Sequence, residues 1–146
     1  MKPIIRKYEE KNGVLILDDS IIEKPYSKEN EIVCWHYSHA KGIHLKGINF
    51  ISCMIRYNDM CLPVCYKLIH KDVKYFDDKE KRWRRKSSTT KNEYFINLIK
   101  QCSANDIAFK YILADSWFSA KNNLEFIHFD QNKFFILGLR KCNNIN

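Results

Sequence analysis

Two short apolar runs each end on a carboxylate, and they constrain this chain more than any other feature. The first is VLILDDS, residues 14–20, and the second is FKYILADS, residues 109–116. Runs this short, apolar on successive positions and rich in β-formers, predict strands buried on both sides. In open α/β sheets, ligands gather at the carboxyl ends of the strands. If the two strands are parallel neighbours, Asp18 or Asp19 stands beside Asp115 across one strand spacing. Paired carboxylates repel unless a cation lies between them. Oxygen ligands without Cys or His select magnesium or manganese, and such sites suit in-line phosphoryl transfer on nucleic acid. A purely structural account stays open: Asp115-Ser116 before a helix reads equally well as an N-cap.

The remaining segments predict the frame around these ends. HLKGINFISCMIRY (44–57) and LPVCYKLI (62–69) read as strands, and the NDM turn (58–60) makes them an antiparallel pair. Residues 20–42 read as an excursion outside the core. Residues 71–91, dense in charge and without apolar period, read as an exposed loop. Thr90 with Glu93 matches a capping box, and Tyr94, Phe95, Leu98, Ile99 and Cys102 fall at helical spacing. A second helix is expected over 119–129, with Leu124, Ile127 and His128 on one side, and a last strand over 133–139. The order strand, strand, strand, helix, strand, helix, strand predicts an α/β fold, a mixed sheet flanked by helices in one domain over residues 1–146.

Charge and cysteines narrow the partners. Lys and Arg number 25 against 17 Asp and Glu, a formal net charge of +8, which favours polyanions, nucleic acid first. Lys81, Arg82, Arg84, Arg85 and Lys86 surround Trp83 and are expected to meet DNA, the cations at phosphates and the indole on an exposed base. The six cysteines, Cys34, Cys53, Cys61, Cys65, Cys102 and Cys142, form no C-x-x-C pair and read as reduced thiols of an intracellular protein. His36, His39 and His44 match no zinc spacing. Trp117 and Phe118 are expected to pack a helix onto the sheet. With no apolar leader and no run of membrane-spanning length, the expectation is a soluble, cytoplasmic protein with no membrane partner.

Four segments in order, GVLILDDSIIEKP, WHYSHAKGIHLKGINF, LPVCYKLI and YILADSWFSAKNNLEFI, resemble the DDE transposases of the bacterial insertion sequence four type. The resemblance runs from Gly13 to about Leu139. It implies an RNase H-like catalytic core and metal-dependent DNA strand cleavage and transfer. It also implies catalytic aspartates at Asp18 (or Asp19) and Asp115, with Mg2+ or Mn2+ held by Asp18 and Asp115. The ion would activate water, and later a 3′-hydroxyl, toward a phosphodiester of the transposon ends. In such proteins the third acid, a Glu, lies well beyond the second Asp, and Glu125 comes too early to be it. The expectation is therefore a core incomplete at the C-terminus and truncated at both ends. Such a chain would be poorly soluble and able to self-associate or to join an intact transposase. The alternative function is that of a non-catalytic DNA-binding or interfering remnant.

Overall fold

The computed structural model describes residues 2–39 and 41–138. Its frame is a six-stranded mixed sheet. Strand β1 (Val14–Glu23) lies at the centre, antiparallel to β3 (Ile43–Tyr57) on one edge and parallel to β7 (Tyr111–Ala114) on the other. β8 (Phe134–Leu137) extends the sheet parallel to β7. The far edge of β3 is shared end to end: β2 (Val33–Ser38) pairs with its first half and β4 (Met60–Leu68) with its second. Taken through β4, the order is β4-β3-β1-β7-β8, the mixed sheet that the element order predicts and the RNase H-like arrangement that the resemblance implies. A separate hairpin, β5 (Val73–Asp77) with β6 (Arg82–Lys86), stands off the main sheet.

Alternation sorts the side chains, since successive residues of a strand face opposite ways. Leu15 and Leu17 on β1, Ile51, Cys53 and Ile55 on β3, and Ile112 and Ala114 on β7 all join one buried cluster. Helix α2 (Lys91–Ala104) covers this inner face with Phe95, Leu98, Ile99 and Cys102. The capping box expected at its start is present: Thr90 Oγ1 accepts from Glu93 N at 3.2 Å, and the Glu93 carboxylate accepts from Thr90 N at 2.6 Å. After β7 come a 3-10 turn (Ser116–Phe118), α3 (Lys121–Glu125) and a π-helical turn (Phe126–Asp130). Phe118 stacks on Phe95, ring centroids 4.6 Å apart, so this second helical segment covers the same face as α2. A short α1 (Lys2–Tyr8) is tied to the end of α2, with Arg6 donating to the Asp106 carbonyl at 2.8 Å. Gly13, just before β1, approaches its neighbours too closely for a side chain: a Cβ would lie 2.7 Å from the Ala108 carbonyl oxygen.

Several sequence expectations need correction. β1 is not buried on both sides, because Val14 and Ile16 on the outer face are only partly covered. Residues 20–42 are not an excursion, since β1 runs on to Glu23 and is succeeded by β2. Cys34 and His36 of β2 point inward while Trp35 and Tyr37 are exposed. The charged stretch 71–91 is not a loop but the β5–β6 hairpin. Its strands are held by cross-strand pairs, the unit of sheet stabilisation. Phe76 meets Trp83 edge-on, and Arg84 bonds Asp77 at 3.1 Å. The helix expected over 119–129 starts at Lys121 and passes at Phe126 into a π-helical turn, with Asn123, Phe126 and Ile127 buried and His128 exposed. The last strand spans Phe134–Leu137, and residue 139 of the expected span, like Cys142, lies outside the described residues.

Candidate active site

The parallel ladder between β1 and β7 decides what its ends bring together. Its last partners are Leu17 and Ala114, so the next step places Asp18 beside Asp115. Neighbouring strands lie about 4.8 Å apart. Asp115 keeps extended backbone angles (φ −69°, ψ 159°), so the alternation carries through it. Both carboxylates therefore belong to the outer face, with Ile16 and Leu113, and both are exposed.

The two adjacent aspartates of β1 part company at this point. Asp19 falls on the inner face, in register with buried Ile51. It is ion-paired with Lys91, the first residue of α2. Its Oδ1 is buried and accepts no hydrogen bond among the described residues. Asp18 sits opposite Ser52, whose Oγ donates to the Asp18 carbonyl at 3.4 Å, while Ser20 Oγ donates to the Asp18 carboxylate at 3.2 Å. Asp115 does cap the 3-10 turn after it: its Oδ1 accepts from Ser116 N at 2.5 Å and from Ser116 Oγ at 3.1 Å. Capping occupies one oxygen and fixes the rotamer of the side chain.

The wall near Asp115 is aromatic. His39, just beyond β2, packs on Trp117 with centroids 4.5 Å apart, and Tyr37 meets both His39 and His44. Phe118 packs onto the inner layer as expected, whereas Trp117 is half-exposed against His39. His36 is set apart from these rings. It is buried, with Nε2 3.3 Å from the Cys34 thiol, and burial, aided by Lys71 and Lys91, lowers its pKa to about 4. Glu125 closes α3 and pairs with Lys121 at 3.7 Å.

The basic cluster lies on the hairpin. Trp83 is 71% exposed at its outer surface. Lys81 occupies the turn with φ +51°. Arg82 and Arg84 are paired with Glu80, and Arg84 also with Asp77. Arg85 donates to the Lys71 carbonyl at 3.2 Å, and Lys86 lies over the Tyr75 ring at 5.6 Å. Of the cationic groups expected to meet phosphate, the arginines thus have internal partners, which the sequence pattern alone did not reveal.

The mixed sheet thus carries two exposed carboxylates on adjacent parallel strands, Asp18 within β1 and Asp115 just beyond β7. Residues 2–145 match the DDE superfamily endonucleases, and the chain belongs to that family. It is a transposase-like nuclease, whose superfamily acts on DNA with divalent metal ions. Neither the curated proteins nor the solved structures contain a significant match. Among the described residues, no helix is long and apolar enough to cross a membrane.

Proposed function

We propose that Asp18 and Asp115 are two carboxylate ligands of a divalent-metal site for DNA strand cleavage and transfer, in a transposase core of the insertion sequence four type. The observation that carries this reading is the Leu17–Ala114 register, which brings two carboxylates from opposite halves of the chain onto one exposed face. Their hard oxygens fit Mg2+ or Mn2+, and the separation of neighbouring strands is one that a single cation spans. A bound divalent ion supplies a nucleophile at neutral pH and neutralises charge on the phosphodiester.

The protein's own groups orient that pair. The Asp19–Lys91 ion pair ties the middle of β1 to the start of α2, which leaves Asp18 turned outward. The Ser116 amide holds the Asp115 carboxylate in one rotamer. Asp19 is thereby a positioning residue rather than a ligand. The exposed Trp83, with Lys81 and Lys86 nearby, is the proposed DNA contact, the indole stacking on an unpaired base. This exposed indole among cations also favours a second reading, a DNA-binding remnant that does not cleave and that acts on transposon ends or on an intact relative.

Nicking of supercoiled plasmid in Mn2+ and Mg2+ tests both readings. Metal-dependent nicking that is lost in D18N and in D115N supports the first. Salt-sensitive binding without nicking supports the second. A chain that neither binds nor cuts DNA overturns both.

A further inference from the structure

Three cysteines distant in sequence converge behind the candidate site. Cys53 lies on β3, Cys65 is its cross-strand partner on β4, and Cys102 is in the last turn of α2. Cys102 Sγ is 3.6 Å from Cys53 Sγ and 3.8 Å from Cys65 Sγ. All three sulfurs lie within 4.8 Å of one another. Cys53 and Cys102 are buried, and Cys65 is half-buried.

Cysteine often serves as a small core hydrophobe, and a single buried thiol would need no other account. Three sulfurs meeting at one point from three elements are a different arrangement. Disulfide sulfurs are bonded at about 2.05 Å, well short of these separations. Tetrahedral thiolates at about 2.3 Å from zinc stand about 3.8 Å from one another, which matches. Nor is the cluster sealed. Cys53 and Cys65, together with Gln101, line an apolar groove of about 720 Å³ whose other walls include Phe50, Met54 and Tyr66. The β3–β4 ladder slips by one residue between Cys53 and Met54, next to the cluster.

We propose that Cys53, Cys65 and Cys102 form a three-thiolate site for a soft d10 cation, Zn2+ with a fourth ligand from the groove side or Cu(I) in trigonal coordination. The ion would bind in place of the thiol protons, so that affinity rises with pH. It would clamp α2 to the β3–β4 edge, on the inner side of the sheet, away from Asp18 and Asp115.

The full chain, reduced and stripped of metal, is titrated with Co2+ as a spectroscopic stand-in for Zn2+, and separately with Cu(I). One equivalent of Co2+ should produce a thiolate charge-transfer band that Zn2+ abolishes, and Zn2+ should raise Tm, because a ligand of the native state stabilises it. A Cu(I) complex without a Co2+ band supports the trigonal form. C65S should lose the signal, while C61S, at an exposed cysteine outside the cluster, should keep it. Should C65S fail to fold, protection of Cys65 from alkylation in the metal-loaded wild type gives the same answer. No charge-transfer signal with either ion, a signal that survives C65S, or unprotected alkylation of Cys65 overturns the site.

Discussion

The two faces of the main sheet are built from the same strands and meet opposite fates. On the inner face, Leu15, Leu17, Ile55 and Ile112 disappear beneath α2 and the segment after β7. On the outer face, one residue away in each strand, Leu113 remains 37% exposed and Ile136 57%. The carboxylates divide in the same way, Asp19 inward onto Lys91 and Asp18 outward beside Asp115. A shift of one residue in strand register exchanges the faces. In this molecule the neighbouring aspartates are therefore separated by pleat, not by distance along the chain.

The sharpest way to break that comparison is to remove matched side chains from each face. Leu98→Ala on α2, beneath the inner face, should cost about 3 kcal/mol. Ile136→Ala on the outer face should cost less than about 1 kcal/mol, because little buried area is lost. Urea unfolding of the two variants reads the difference directly, and equal losses would mean that the outer face is covered in solution.

Between pH 6.5 and 4, acid should weaken the inner face through His36. β2 continues that face, with His36 opposite Leu45. The His36 imidazole is kept neutral by burial, then by Lys71 and Lys91, with its pKa lowered to about 4 from 6.5. Between those values the unfolded chain binds a proton that the folded chain refuses. Stability is therefore intact above pH 6.5 and falls as the pH drops toward 4, by roughly 3 kcal/mol. Unfolding midpoints across this window should slope in the wild type and flatten in His36→Leu.

A smaller effect loosens the cover itself. Thr90→Ala removes the capping hydroxyl of α2 and should cost about 1 kcal/mol, read as a lower thermal midpoint with unchanged DNA binding. The smallest change in stability should come from the outer face. Phe134→Ser with Ile136→Ser should leave the unfolding midpoint nearly unchanged while raising solubility, since exposed apolar patches drive association. Light scattering at rising protein concentration checks this, and equal scattering by both proteins would remove the outer face as the cause.

Legibility in the sequence tracked the source of each element's stability. Strands built on apolar runs, such as β1, β3, β4 and β7, announce themselves, and so does the capped α2. The β5–β6 hairpin does not, because RWRRK carries no apolar period and is held by pairs such as Phe76–Trp83 and Arg84–Asp77 that exist only across the turn. β2 hides for a related reason: VCWHYS alternates, but its inward members are a cysteine and a histidine. Asp115 was readable as a strand end, whereas Asp18 lies inside β1, which runs on to Glu23, and its division from Asp19 required the register. The convergence of Cys53, Cys65 and Cys102 had no local signal, since their spacing of 12 and 37 residues along the chain fits no metal motif.

The pairing between β1 and β7 also has a consequence in time. Val14 pairs with Arg56 on one side and with Tyr111 on the other. The first contact needs the chain only as far as β3, and the second must wait until β7 has been added. Distant parallel pairings are slow to form, because the entropy of closing long loops is lost before any contact repays it. The meander β1–β3–β4 can therefore assemble early, while Asp18 and Asp115 come together only once the later strand has docked. During synthesis, the β1 aspartate emerges long before its partner does, so the two carboxylates can meet only after β7 has been made.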